Sequence, residues 1–411
     1  MVKNFICTAN FRPLMELSPR KILLHLGLFI LTFATTTLAG SEWVHGKSIA
    51  ILLVGGTYTW DDFVLGMPYS IPFLLILSVH EFGHYFTALH YKVRTTLPYY
   101  IPLPPVLPLM IGTLGALIRI KSRVPTKQQN FDIGIAGPLA GFVAAIGVLW
   151  YGFATLPPPE YIFQFHPEYE KFGLDYAAYV YSPEHLVPNT IDVVIGKNLL
   201  FVFFEKFVAD PARMPNPHEI MHYPYLLAGF ISLVFTSINL FPIGQLDGGH
   251  VTYGLFGYRR HKIIATVFYI ALLFFSGFGF VTLPEIILGQ WYWVPVQIAG
   301  LYLGLSGLML GRKDTFMYAM IIFTLQFVIG MLVPGLKGYT TFFLFAVLIG
   351  RVVGIAHPPS EIEDPVTPGR KILGWIALLI LVVCFAPYPV EGTITPSPPP
   401  PDGSVVSQLK P

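Results

Sequence analysis

The stretch His80-Glu81-Phe82-Gly83-His84 sets two imidazoles four residues apart with a carboxylate between them. On a helix, residues four apart share a face, so His80 and His84 can reach one metal ion. Glu81 then stands where a carboxylate can take a proton from an attacking water. The chemistry this spacing suits is metal-assisted hydrolysis with one Zn2+ per chain. Two other stretches compete for the same reading. His90 falls six residues past His84, the offset of HExxHxxGxxH, in which a glycine lets the chain turn back. Thr87 holds the glycine's position, so an unbroken helix carries His90 about 9 Å beyond His84 and onto another face. It is expected to be an interfacial histidine. His218-Glu219-Ile220-Met221-His222 repeats the pattern between Pro217 and Pro224, which leave room for little more than one turn. With no evident third ligand close by, this copy is expected to serve only as a loop.

A zinc centre that works on substrate needs a third protein ligand and an open position. Asp247, in the stretch SINLFPIGQLDGGH from Ser237 to His250, is the best candidate. Pro242, Gly244, Gly248 and Gly249 break the backbone there. Irregular backbone at membrane depth is tolerated only where protein buries it or it lines a wet cavity.

The elements that must hold these residues are apolar. Of the 411 residues, 54% are hydrophobic and 12% charged, and the mean hydropathy is +0.62, a balance that points to a multi-span membrane protein. A net charge of +2 gives no broad basic surface and argues against nucleic acid as a partner. The two cysteines, Cys7 and Cys384, offer no disulfide framework. Apolar runs recur at Ile22–Gly40, Pro68–Tyr91, Phe131–Leu156, Leu226–Phe241, Ile263–Leu283, Val294–Leu310, Phe316–Val333, Phe342–Ala356 and Ile372–Pro387. They predict an all-α polytopic membrane protein with about nine transmembrane helices.

Lys3, Arg12, Arg20 and Lys21 precede the first run, and basic residues return in alternate loops from Lys92 to Lys127, at Arg259–Lys262, at Arg312 and Lys313, and at Arg370 and Lys371. The positive-inside rule then makes the N-terminus cytoplasmic, with the site near the cytoplasmic side. Residues 1–59 hold the first helix and an outer loop, 60–257 a catalytic core, and 258–388 further helices. The segment 157–225 reads as an extracytoplasmic insert in which Val194–Val208 lies on the membrane surface. Residues 389–411, with PSPPPPDGS, read as a disordered tail.

Together, HEFGH, AGPLAG (Ala136–Gly141) and NLFPIGQLDGG (Asn239–Gly249) resemble the site-2 protease family of intramembrane zinc metalloproteases, over about Trp60 to Gly257. The resemblance implies that His80, His84 and Asp247 bind zinc, that Glu81 is the base, and that Asn239 positions substrate or stabilises an oxyanion. GTLGALIRIKSR (Gly112–Arg123) is similar to the family's membrane-associated hairpin or re-entrant segment, which makes Gly112, Thr113 and Gly115 candidate substrate contacts. The implied partners are membrane-anchored protein substrates within a lipid bilayer. Residues 157–225 show no PDZ pattern, so the likeness is to the PDZ-lacking branch that includes plant plastid members; the short N-terminus favours a bacterial cytoplasmic membrane. AGPLAG itself suits close helix packing rather than catalysis. Two rivals remain: a CAAX-type membrane metalloprotease, which takes a glutamate as third ligand, and a non-catalytic metal-binding or transport protein.

Overall fold

The computed structural model describes residues 18–107, 109–182, 184–186, 191–333 and 335–394. The expectations for Lys3, Arg12, Cys7 and the PSPPPPDGS tail fall outside them. The helices are α1 (Pro19–His45), α2 (Trp60–Val64), α3 (Met67–His90), α4 (Lys127–Ala154), α5 (Tyr176–Val180), α6 (Leu199–Phe207) and α7 (Pro224–Asn239). They continue with α8 (Asp247–Ser276), α9 (Leu283–Ile287), α10 (Trp293–Leu305), α11 (Arg312–Leu332), α12 (Thr340–Val352) and α13 (Pro368–Cys384). Four strands, β1 (Tyr99–Pro102), β2 (Thr113–Leu117), β3 (Ile191–Ile195) and β4 (Val390–Ile394), form two antiparallel pairs, β1–β2 and β3–β4.

Among the described residues, four helical stretches are long and apolar enough to cross a membrane: Pro19–His45, Trp60–His90, Lys127–Ala154 and Arg312–Leu332. Large apolar side chains on them, such as Leu23, Ile30, Ile71, Leu75, Val143 and Ile321, face outward, as lipid contact requires. The expected nine crossings are not all found as full-length spans. Pro224–Asn239, Trp293–Leu308 and Thr340–Val352 are shorter apolar helices, and α13 has 17 residues. Glycine and proline turns cut these runs, and α8 is interrupted at Gly257, whose φ of 74° no other residue adopts readily.

The helices share two cores. One joins α1, α3, α4 and α7 through residues such as Phe73, Phe131, Leu149, Leu227 and Phe230. The other gathers α8, α10, α11 and α12 around Tyr269, Leu273, Leu301 and Ala346. The β1–β2 hairpin follows α3 and pairs Tyr99 with Leu117 and Tyr100 with Ala116. It is hung on polar groups that α1 carries at membrane depth. His25 Nδ1 lies 3.0 Å from Pro98 O, Thr35 donates to Gly112 O at 2.7 Å, and the Trp43 indole donates to Met110 O at 2.9 Å. Ser78 on α3 meets the Tyr100 hydroxyl at 2.8 Å. Backbone groups unsatisfied in lipid cost several kcal/mol each, so these side chains make a non-helical segment tenable.

Two expectations need correction. The surface helix covers only Leu199–Phe207, because Val194 and Ile195 belong to β3. The tail is not irregular from residue 389, since Val390–Ile394 pairs with Ile191–Ile195. The short run VEGTI has a strand's alternation, which the proline-rich residues beyond it obscured. The C-terminal part is also latched to α4. Arg370 makes a bidentate pair with Asp132, Nη2 to Oδ2 at 2.7 Å and Nε to Oδ1 at 2.8 Å, and Tyr91 shares that carboxylate. Bidentate guanidinium–carboxylate pairs are among the stronger polar contacts. Arg370→Ala should therefore cost about 1–3 kcal/mol, measured as a lower unfolding midpoint of the purified chain, while Asp132→Asn should lose part of the same stability.

Candidate metal centre

His80 and His84 lie in the second half of α3, both buried, on the face turned to α4 and α7. Helical spacing sets their Nε2 atoms 3.1 Å apart. The chain between α7 and α8 then supplies Asp247. After Asn239 the helix stops, Gly244 takes a φ of 54°, and a compact turn restarts the chain at Asp247, the first residue of α8. A Cβ at Gly244 would lie 2.0 Å from Gly354 O, and one at Gly248 would lie 1.8 Å from Leu240 O. Only glycine fits a backbone folded this tightly. Asp247 Oδ2 lies 3.4 Å from His80 Nε2, and Oδ1 lies 3.4 Å from His84 Nε2.

These separations suit one ion. The edge of a tetrahedron with bonds near 2.05 Å is about 3.3 Å. His84 Nδ1 sits 2.6 Å from Ile133 O, so its proton is on Nδ1 and the Nε2 lone pair faces the other donors. Two imidazole nitrogens and a carboxylate form a donor set that zinc takes readily. The residues present fit Zn2+.

Glu81 is buried and lines a cleft of about 150 Å³ with His80, Phe73, Leu114, Gly115 and Asn239. The Ile118 backbone, just past β2, faces its carboxylate. Asn239 Nδ2 reaches within 3.4 Å of His80 Nε2, so the amide borders both the donors and the cleft. Of the three hairpin candidates, Gly115 lines the cleft. Gly112 and Thr113 do something else. A Cβ on Gly112 would meet Thr36 Cα at 2.4 Å, and the Thr113 hydroxyl donates to Ile101 O at 2.7 Å. Both brace the hairpin against α1 and against itself. His90 is exposed at the end of α3 and packs edge-on to Tyr91, as expected. His218 turns to Asp192 at 2.7 Å and stacks on Tyr181, so the two histidines of HEIMH do not act together.

Sequence reasoning gave AGPLAG close helix packing but not its contact with the ligand rings, and it missed a second support. Gly137 of AGPLAG abuts the ligand ring itself: a Cβ there would lie 2.1 Å from His84 Nε2. Gly141 and Gly83 have the same role, with Cβ positions 2.9 Å from His80 Cβ and 2.7 Å from Ala136 O. Small residues at regular helical intervals were the available signal. The second support comes from the C-terminal part, where Ile355 O accepts from Gly244 N at 2.8 Å and holds the Asp247 turn. His357 Nε2 lies 2.8 Å from His250 Nδ1 beside it, and burial keeps the His357 imidazole below its ordinary pKa. No sequence signal announces either contact.

A profile of peptidase family M50 matches residues 68–284. Among curated proteins, the chain is similar to the probable zinc metalloprotease EGY1, chloroplastic, of Arabidopsis thaliana, 28% identical over 49% of this chain and 31% of that protein. It is likewise similar to the Arabidopsis probable zinc metalloprotease EGY2, chloroplastic (26% identical, 51% and 32% covered). The Arabidopsis probable zinc metallopeptidase EGY3, chloroplastic, matches at 25% identity, with 57% and 40% covered. The chain thus spans about a third of the length of these relatives. No solved structure matches.

Alanine in place of glycine inside a helix ordinarily stabilises by about 1 kcal/mol. Gly137→Ala should do the reverse for the metal: zinc affinity at His80, His84 and Asp247 should fall at least about tenfold without loss of helix content, measured by competition against a zinc chelator. An unchanged affinity would remove Gly137 from the support of the site.

Proposed function

The chain belongs to peptidase family M50, and from that premise we propose that it is an intramembrane zinc metalloendopeptidase. Its substrates in this reading are membrane-anchored proteins cut in or near their spanning segments. The observation that carries the proposal is the convergence of His80 Nε2, His84 Nε2 and the Asp247 carboxylate at the wall of the cleft that Glu81 and Asn239 line. The donors of this centre gather at one depth beside a single cleft, which suits a reaction; a transport path would string polar groups through the helices.

Zinc, when bound, supplies Lewis acidity that polarises a carbonyl and makes water a stronger acid. The chain's own residues do the rest. A peptide inside a membrane helix has its carbonyls hydrogen-bonded internally and must be unwound before attack. The β2 edge, with Leu114 and Leu117 exposed, offers an unpaired ladder to which an extended segment can add. The cleft then lies between that segment and the donors. Glu81 accepts the proton of the attacking water and returns it to the departing amine, so one carboxylate serves as base and then acid. Asn239 Nδ2 is a donor beside the donors' open side, placed to steady the carbonyl oxygen as charge grows on it.

The protein is read as integral to a membrane, with the N-terminus cytoplasmic and the site near that side. The alternation of Arg and Lys between successive loops supports this orientation.

Glu81→Gln should keep the metal and lower cleavage by about 10²–10⁴-fold, followed as product from a single-span reporter in membrane vesicles. Cleavage at the wild-type rate would sink the proteolytic reading. Asp247→Ala should lose the zinc at this centre; retention would favour a glutamate as third ligand, the CAAX-type arrangement.

A further inference from the structure

HEIMH takes on a different meaning once folded. Residues Ile220–His222 form a single tight 3₁₀ turn, and this turn directs Glu219 and His222 toward His166, which follows the 3₁₀ helix Pro159–Gln164 at the other end of the insert. His166 Nε2 and His222 Nε2 lie 3.2 Å apart. Glu219 Oε2 lies 3.5 Å from His222 Nε2 and 3.9 Å from His166 Nε2. We propose that His166, Glu219 and His222 bind a second divalent transition-metal ion, zinc by donor type, which fastens the two ends of the insert to each other and to α1.

Each donor is aimed by a partner on its far side. His222 Nδ1 sits 2.6 Å from Val44 O near the end of α1, so Nδ1 carries the proton and Nε2 a lone pair. His166 Nδ1 faces Glu168 Oε1 at 3.2 Å, which leaves its Nε2 in the same state. Glu219 Oε1 accepts the Tyr181 hydroxyl. Its other oxygen, Oε2, is buried and accepts no hydrogen bond, in a side chain only 1% exposed. Three lone-pair donors therefore converge with no proton between them, and a buried carboxylate oxygen left unmatched is destabilising. A cation at the centre satisfies all three. Metal-binding imidazoles are commonly oriented this way through their second nitrogen, and His84 at the first centre is held by a backbone carbonyl as His222 is.

The rings cannot swing away. Phe165 stacks on His222 at 4.5 Å and Tyr169 on His166 at 4.5 Å. The site is structural. Glu219 serves as a ligand, His218 is engaged by Asp192, and among the described residues no second carboxylate joins the three donors. It is also remote from the first centre. His222 precedes α7 and Asn239 ends it, so the two lie at opposite ends of a helix about 24 Å long. The inference stands apart from the proteolytic reading.

The test counts metal in the full-length chain, purified in detergent, loaded with Zn2+ and freed of excess. Two equivalents are expected in the wild type, one in Asp247→Ala and one in Glu219→Gln, with none in the double variant. X-ray absorption on the Asp247→Ala chain should show two imidazole nitrogens on the remaining ion, and removing that ion should lower the unfolding midpoint. This arm leaves the second centre unaltered, so it holds even where Glu219→Gln fails to fold. One equivalent in the wild type that vanishes in Asp247→Ala would overturn the proposal, as would a remaining ion without histidine ligation.

Discussion

The near-contact of α3 with α4 is the constraint on which the rest of the structure depends. Gly83 lets the two backbones meet at Ala136, Gly137 and Gly141 make room between the helices for the His84 and His80 side chains, and the Ile133 carbonyl of α4 fixes the His84 ring. In lipid, where apolar surface gains nothing by leaving one apolar medium for another, packing of this closeness supplies the association that burial supplies in water. The helix pair is thus both scaffold and second coordination shell. A methyl group at Gly137 would occupy the space where the imidazole must stand.

Around that pair the polar demands of the site are met by parts far apart in the chain. α1 provides threonine, histidine and tryptophan side chains for the hairpin. The hairpin brings Leu114 and Gly115 to the cleft that Glu81 lines. The segment after α12 gives a carbonyl to the turn that presents Asp247. None of these helpers is a carboxylate, an ammonium or a guanidinium. Neutral donors and acceptors are the economical choice at membrane depth, where an unpaired charge is costly.

Local rules made the first centre legible. The i, i+4 histidines name a face and a metal, and the glycine-rich stretch around Asp247 betrays a chain that must turn sharply. The helical class followed from the apolar runs, and the hairpin near the site from the family resemblance alone. What the sequence hid was long-range. His166 lies 56 residues from its partner His222, in a stretch with no metal-binding spacing. HEIMH looked like a copy of HEFGH because letters do not distinguish a 3₁₀ turn from an α-helix, and the prolines on either side decided which it became. Span count suffered for a related reason: composition measures apolar length, whereas turns decide how much of that length is one helix.

The β3–β4 ladder has a consequence for the path of the chain through the bilayer. Strands that share hydrogen bonds occupy one side, so Ile191–Ile195 and Val390–Ile394 are on the same face of the membrane. The chain between them must therefore make an even number of complete crossings. The bridge between Thr126 and Ile362 imposes the same parity on the chain from α4 to the end of α12, and the contact of His222 with Val44 imposes it on the chain from α2 to the insert. Three pairings at or beyond the ends of the long helices thus restrict their threading. Within the stretches so bounded, an apolar segment can be gained or lost as a full span only together with a second one.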